Sequence, residues 1–271
     1  MISAFANPYK VCLVIPAGRR RYLEGLIPRL LKEPGWQTMQ IWLNTVDTND
    51  LEYLHGLPLL DPRIELVEPP EFPPKGSETI GQFFRHCVDP ETVYIRLDDD
   101  VCWIEPGLIA RLSTFRIAHP EPFLVTPVVV NNAICSFLLQ TFGRLSLPGY
   151  MMTPNCLDPV TWGSPEFAEM LHRMFVEHAR RGNVDHFKLP DIPIAVNRFS
   201  INCISWFGRE FAKFGGAVPY GIEEEWLSAI KPTLMGGYNQ LCGSAVIAHF
   251  AFYTQRAHLE TTDLLAAYRA V

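Results

Sequence analysis

The sequence predicts an α/β fold: a Rossmann-like, mostly parallel central sheet flanked by helices, with a mixed region toward the C-terminus. Three observations predict it. Short apolar, partly β-branched runs alternate with segments of helical period through about residue 130. Pro, Gly and Asn close several of those runs. From about Gly143 the alternation weakens into a less regular pattern. Strands that alternate with helices pair in parallel and are covered on both faces.

Lys10–Ile15 (KVCLVI) is the first predicted strand, broken by Pro16-Ala17-Gly18. Arg20–Lys32 places Leu23, Leu26, Ile27, Leu30 and Leu31 on one helical face. Thr38–Asn44 and Arg63–Glu68 are the next two strands. Glu68–Pro74 (EPPEFPP) carries four prolines and predicts a stiff connector, because proline continues neither a helix nor a sheet. Thr79–Cys87 predicts a short helix, Thr92–Leu97 (TVYIRL) a fourth strand, Leu108–Ala118 a helix and Phe123–Val130 a fifth strand. Leu147–Pro165, rich in Pro, Gly, Asn and Met, predicts a long loop of the kind that serves as a lid or binding segment. Glu166–Arg181 predicts an amphipathic helix, Ser200–Phe207 a strand, and Gly215-Gly216 a turn. A helix is expected to begin near Glu223, and Ala245–His249 is the last expected strand.

Composition narrows the function. A 48% hydrophobic, 19% charged chain of 271 residues buries a sizeable core and is not disordered. A formal charge of −6 without a basic run excludes a holder of duplex phosphates, so no nucleic-acid partner is expected. No apolar stretch reaches the roughly 18 residues of a spanning helix. Met1–Ile15 contain Asn7, Pro8, Tyr9 and Lys10 and lack the charged start and long apolar run of a signal peptide. The seven cysteines form an odd, scattered set without a CxxC pair, which reads as buried thiols in a reducing cytoplasm rather than disulfides or zinc ligands. A peripheral membrane contact would use Arg19-Arg20-Arg21 and the apolar Phe137–Leu147; a solvated helix start and a core helix account for the same residues.

The sharpest local feature is Tyr94-Ile95-Arg96-Leu97-Asp98-Asp99-Asp100-Val101. Three adjacent carboxylates at the end of an apolar strand raise one another's pKa unless a cation neutralises them. In open α/β sheets, ligands collect outside the carboxyl ends of strands. Carboxylate oxygens suit Mn²⁺ or Mg²⁺, hard cations that also take substrate phosphates. A solvated acidic turn has the same letters. The buried-looking run Val101-Cys102-Trp103-Ile104 that follows weighs toward a site.

A strand, Asp-Asp-Asp and a short strand, preceded by Lys10–Ile15 and Pro16-Ala17-Gly18, resemble the GT-A type of glycosyltransferase over about residues 10–250. The resemblance implies a DxD motif in which Asp98 and Asp100 hold a divalent cation that bridges the donor diphosphate, with Asp99 between them. His249, which ends an apolar strand and precedes Phe250, resembles the His-Phe pair that supplies a third protein ligand in such enzymes. Glu223-Glu224 resemble the family's late acidic pair, with Glu224 in the place of the base that deprotonates the acceptor; the family more often has Glu-Asp there. Carboxylates also suit any first helical turn.

The same resemblance implies nucleotide-sugar contacts from Pro16, Ala17, Gly18 and Arg19 after the first strand. It implies base-edge readers in Asn44 and Asp47, diphosphate compensation by Lys75 ahead of Gly76-Ser77, and donor contacts from Asp98 and Asp99. Asn131, with Asn132, either meets sugar hydroxyls or caps the following helix. Trp162, Trp206, Trp226 and Tyr220 are either acceptor-stacking or core aromatics.

The implied organisation is one domain over 1–271, with a nucleotide-sugar-binding half to about 130 and an acceptor-binding half after it. The implied reaction is metal-dependent transfer of a hexosyl or similar group from a nucleoside-diphosphate sugar to a glycan or other hydroxyl acceptor. Three alternatives share parts of the pattern. A nucleotidyltransferase acting on sugar phosphates needs a glycine-rich basic loop, which PAGRRR matches in part. A metal-dependent hydrolase needs a richer ligand set than eight scattered histidines. A non-catalytic nucleotide-sugar-binding protein would keep the fold without the base.

Overall fold

The computed structural model describes residues 9–71 and 73–271. The signal-peptide reading of the first residues, and Phe72 of the proline-rich connector, lie outside them as far as residues 1–8 and 72 are concerned. The first four strands, β1 (Lys10–Ala17), β2 (Thr38–Leu43), β3 (Ile64–Val67) and β4 (Thr92–Leu97), pair in parallel, β1 lying between β2 and β4. After its first residue β1 is buried throughout, as a strand covered on both faces must be.

β5 (Val101–Ile104), β6 (Val125–Val130), β7 (Ile192–Ala195), β8 (Cys203–Phe207) and β9 (Asn239–His249) continue the sheet in the order β3-β2-β1-β4-β8-β6-β9-β5, with β7 also on β9. β8 runs antiparallel to β4 and β6, β6 runs parallel to β9, and β5 and β7 run antiparallel to β9. The sheet is therefore parallel over its first four strands and mixed from β5 on, well before the alternation fades near residue 143, because β8 and β9 from later in the chain pair with β4, β5 and β6.

Helices flank the sheet. α1 (Arg20–Lys32) buries Tyr22, Leu23, Leu26, Ile27 and Leu30. Past its end, Glu33 accepts the backbone N–H groups of Gly107 and Ile109 at 2.9 and 3.2 Å, and so caps α3 (Leu108–Ala118) from another element. α4 (Ala133–Thr141) is capped by Asn132, and α5 (Pro165–Arg180) by Ser164. The loop before α5 is knitted by buried Asp158, whose carboxylate accepts from the N–H groups of Val160 and Thr161 at 2.9 and 2.8 Å.

Several elements are absent from the sequence reading: α2 (Thr48–Gly56), β7, α6 (Gly208–Ala212), α9 (Tyr253–Leu259) and α10 (Leu264–Arg269). α2 buries only Leu54, so it has almost no apolar periodicity, and α6, α9 and α10 span two turns or less. The helix expected at Glu223 is α7 (Glu223–Glu225), a π-helical turn over Trp226–Ile230, and α8 (Lys231–Leu234). Thr79–Cys87 is a 3₁₀ helix over Ile80–His86.

β9 begins six residues before the predicted strand because Gly243-Ser244 is a bulge rather than a break. β6 pairs Pro127 with Cys242 but Val128 with Val246, and the extra β9 residues bend toward the 189–191 segment. There Leu189 N–H donates to Gly243 O, and Gly243 N–H donates to Asp191 Oδ1, both at 2.9 Å. A Cβ on Gly243 would overlap the carbonyl oxygens of Leu189 and Pro190. Arg19, Arg20 and Arg21 are paired with Asp99, Glu24 and Glu260, so they form no free basic cluster. No described helix is long and apolar enough to cross a membrane. All seven cysteines are free and buried.

Gly243→Ala is expected to destabilise the fold by more than about 2 kcal/mol through that backbone clash. Gly237→Ala, whose nearest foreign atom would lie 3.7 Å away, should change stability little. Urea midpoints of the two variants compare them directly; equal midpoints would mean that the bulge gives way freely.

Candidate active site

The triplet Asp98-Asp99-Asp100 occupies the turn between β4 and β5, two strands buried along their whole length. Its backbone is tied on both sides. Asp98 N–H donates to Asn202 O at 2.9 Å, Val101 N–H to Asp98 O at 3.1 Å, and Phe250 N–H to Asp100 O at 2.8 Å. This stitching sends the three side chains to three different sets of partners.

Asp98 Oδ1 accepts from Arg96 at 2.7 Å, and Asp98 Oδ2 from Asn202 Nδ2 at 3.2 Å. Asn132 donates to Asn202 Oδ1 at 3.0 Å and thereby turns the Asn202 amide group toward Asp98. Asp99, 3% exposed, accepts the Gly18 N–H at 2.9 Å and pairs with the Arg19 guanidinium. Gly18 is required here: a Cβ would sit 2.8 Å from Asn44 O, so only glycine lets the β1 turn lie against the end of β2. Asp100, 2% exposed, meets Arg19 at 3.0 Å and Arg256 at 3.2 Å through Oδ2.

The other Asp100 oxygen, Oδ1, is buried, accepts no hydrogen bond, and lies 3.3 Å from Nε2 of His249. His249 Nδ1 faces Asn131 O at 3.4 Å. With Nδ1 donating to that carbonyl, Nε2 presents a lone pair toward Asp100. One ligand atom each from Asp98, Asp100 and His249 lie within 4.8 Å of one another. An unpartnered, buried carboxylate oxygen beside an imidazole nitrogen is costly without a cation, and two carboxylates with an imidazole form a donor set suited to Mn²⁺ or Mg²⁺. These residues fit the divalent cation that the resemblance implies.

The electrostatics follow from burial and pairing. Burial raises the Asp98 carboxyl above its ordinary value although Arg96 opposes it, and burial raises Asp99 against Arg19. Asp100 is also buried, but its cationic neighbours, Arg19 first, outweigh that and hold it below the usual carboxylate range. Glu223, at the start of α7, accepts from Arg96 at 2.5 Å. Burial still pushes it up to about 7.

A cleft of about 550 Å³ opens beside the triplet. Of the sequence-predicted residues, Pro16, Gly18, Arg19, Asn44, Asp98, Asp99 and Glu223 line it, and so do Gly76 and Ser77. Arg96, Tyr253 and Arg256, which the sequence reading did not single out, line it too. Ala17 is wholly buried within β1. Asp47 is exposed and caps α2, accepting from the N–H groups of Asn49 and Asp50. Lys75 is exposed just ahead of Gly76. Asn131 is buried with φ 63°, its Nδ2 donating to Phe250 O and Gln255 Oε1. Glu224 accepts from Arg198 at 2.9 Å, beside a smaller cleft formed by residues 154–157, Asn197 and Arg198. Trp206 is core, stacked on Tyr94, and exposed Tyr220 donates to Glu78.

No protein-family model and no curated protein sequence matches the chain. Solved structures do. One is the mannosyltransferase PcManGT from Pyrobaculum calidifontis in complex with GDP-Man and Mn²⁺, at 13% identity and TM-score 0.54, covering 90% of this chain and 58% of that one. Another is GalNAc-T7 with UDP, GalNAc and Mn²⁺, at 11% identity and TM-score 0.51, covering 90% of this chain and 44% of that one. The chain thus spans about half the length of these two structures. Its fold is the GT-A type read from the sequence: a curled mixed sheet with flanking helices and a DxD-like triad at the end of a central strand.

Because Glu223 holds its proton to about pH 7 when folded and releases it near the ordinary 4.5 when unfolded, the stability it contributes is full below 4.5 and is lost as pH rises to about 7. The urea midpoint of the wild type should therefore fall between about pH 5 and pH 7.5. In Glu223→Gln that fall should be shallower, and an unaltered slope would show that Glu223 titrates normally.

Proposed function

We propose that this chain is a metal-dependent glycosyltransferase that moves a hexosyl or similar group from a nucleoside-diphosphate sugar to a hydroxyl of a glycan or other acceptor. The observation that carries the reading is the convergence of Asp98, Asp100 and His249, with an unpartnered buried oxygen among them, at the edge of a cleft of about 550 Å³. That volume lies in the range of sites that enclose small organic ligands. The GDP-Man, UDP and Mn²⁺ named with the two similar structures support the same chemistry.

Asp98, Asp100 and His249 would hold a divalent cation, Mn²⁺ or Mg²⁺, which would supply Lewis-acid stabilisation of negative charge on the departing diphosphate. The chain's own residues do the rest. The Pro16–Arg19 turn and Asn44 bound the nucleoside side of the cleft, and Asn44 Oδ1, buried without a partner, accepts a hydrogen bond from a base N–H group. Gly76 and Ser77, with Lys75 beside them, lie along the diphosphate path. The half of the chain after about residue 130 binds the acceptor, and the loop before Pro165 keeps water from the donor.

The resemblance gives the place of the base to Glu224. We assign it to Glu223, because Glu223 lines the cleft, is oriented by Arg96, and has a carboxyl raised to about 7, where a general base works best near neutral pH. Glu224 is turned to Arg198 instead. Glu223 then removes the acceptor hydroxyl proton as the hydroxyl oxygen attacks the sugar carbon, the outcome being inversion. Seven free, buried thiols suit a cytoplasmic setting.

Calorimetry with GDP, UDP, CDP and ADP, each with and without Mn²⁺, tests the donor site. One nucleotide should bind with Mn²⁺, and chelation or Asp100→Ala should weaken that binding at least about tenfold. Absence of all nucleotide binding in both conditions sinks the reading. Glu223→Gln should keep nucleotide binding and lower kcat by about 10²–10⁴-fold, with loss of the pH limb near 7. Glu224→Gln should leave that limb in place; the reverse result returns the base to Glu224. Release of pyrophosphate rather than a nucleoside diphosphate would mark a nucleotidyltransferase.

A further inference from the structure

Three arginines reach the acidic cluster, and they are held in very different ways. Arg96 is 4% exposed at its side chain and bridges Asp98 and Glu223 at 2.7 and 2.5 Å, clamped from both ends. Arg19 is anchored on Asp99 through more than one nitrogen, next to the Gly18 N–H that binds the same carboxylate. Arg256, about as exposed as Arg19, has neither kind of hold: it makes one contact to Asp100 Oδ2, at 3.2 Å, and one to Ala251 O at 3.3 Å. Its Nε is buried and has no partner.

Asp100 carries the complementary anomaly. One of its oxygens is shared by Arg19 and Arg256 while the other, in a side chain 2% exposed, accepts nothing beside His249 Nε2. The carboxylate that best fits a divalent cation is therefore one that Arg19 and the loosely held Arg256 neutralise together, Arg256 by the longer contact. Two cations cannot both draw fully on one carboxylate, since each lowers the negative potential that the other feels. Arg256 also lines the cleft, as Arg19 and Asp99 do, and a guanidinium fork suits phosphate oxygens.

We propose that Arg256 is an exchangeable counter-ion, pairing with Asp100 until a divalent cation takes that carboxylate and then binding the diphosphate of the donor. The proposal rests on the glycosyltransferase reading above for the identity of its ligand, a nucleoside diphosphate. Arg96 keeps Asp98 and Arg19 keeps Asp99 throughout, so the geometry of the triplet persists while Arg256 changes partner. The exchange couples the two ligands: the cation frees Arg256 for the phosphates, and the phosphates draw Arg256 away from the cation's ligand.

Calorimetry on the full chain tests it with three probes: Mn²⁺ alone, inorganic pyrophosphate alone, and pyrophosphate, GDP or UDP at saturating Mn²⁺. Arg256→Gln should bind Mn²⁺ alone at least about fivefold more tightly than the wild type, and bind the phosphate ligands with Mn²⁺ at least about fivefold more weakly. Opposite signs are the signature, because a side chain that merely shapes the site would weaken both. Asp100→Asn is the second variant: it should lose Mn²⁺ binding yet bind pyrophosphate without metal more tightly than the wild type, its Arg256 being released. Arg256→Gln with unchanged or jointly weakened affinities overturns the proposal, as does Asp100→Asn without a gain for metal-free pyrophosphate. A wild type that binds Mn²⁺ and a nucleotide alongside an indistinguishable Arg256→Gln removes this inference alone. A wild type that binds neither removes the glycosyltransferase reading with it.

Discussion

The structure depends on neutralising adjacent buried carboxylates. Asp99 and Asp100 are nearly inaccessible, Asp98 is close to them, and Glu223 lies across Arg96 from Asp98. Unpaired charges in such a place cost several kcal/mol each, which no amount of local strand propensity offsets. Apart from Arg96, two residues back in β4, the compensation comes from remote parts of the chain: Gly18 and Arg19 after β1, Arg256 in α9, and Asn202 ahead of β8. Those from β1, β4 and β8 lie at the same end of the sheet because β1 and β4 are parallel neighbours and β8 pairs antiparallel with β4, and β9, paired with β5 beside the triplet, delivers Arg256 there. The strand order is thus the means by which the triplet acquires its counter-charges.

The same end of the sheet places the imidazole. β9 brings His249 opposite Val101, the first residue after the triplet, and the bulge at Gly243 sets the register with which it arrives. A slip of one residue would turn His249 to the other face. Asn131 completes the arrangement from the end of β6. It adopts a left-handed backbone, which asparagine tolerates better than most residues and which still costs on the order of 1 kcal/mol. In that conformation its carbonyl faces His249 Nδ1 while its side chain holds Phe250 O and Gln255. Buried His172 donates to or accepts from Tyr268, and its Nε2 lies 2.8 Å from the same Phe250 O. The strain at Asn131 is thus balanced by bonds that fix the segment carrying the imidazole.

The sequence carries much of this, unevenly. Strands β1, β2, β4 and β6 and helices α1, α3 and α5 are legible because their apolar residues repeat with a period that burial demands. The triplet is legible because charge at the end of an apolar strand contradicts the pattern around it. Arg96 was open to the same argument, being a charge inside TVYIRL, and its role is the one site feature that pattern alone offered and the reading passed over. Arg256 and Tyr253 lie on a seven-residue helix whose position in the cleft follows from how β9 ends, and nothing local in YTQRAHL announces it. Asp47 shows the opposite case. Its side chain accepts from two backbone N–H groups two and three residues on, a capping signature for α2 that the letters Asp-Thr-Asn-Asp carry as plainly as a ligand contact.

The distribution of counter-charges also separates folding from cation binding. In a site where metal alone neutralises the ligands, the apo chain cannot keep its carboxylates together, and binding and folding become one event. Here Arg96 holds Asp98, Arg19 holds Asp99, and Arg19 and Arg256 share Asp100, so the triplet keeps its shape through pairings made within the chain. Asp100 Oδ1 accepts no hydrogen bond and has His249 Nε2 beside it at 3.3 Å. A cation arriving there meets an arranged site and has little of the fold to organise. Its binding free energy is then spent on displacing one loosely held guanidinium, and that local competition is what makes the affinity of the site sensitive to what else enters the cleft.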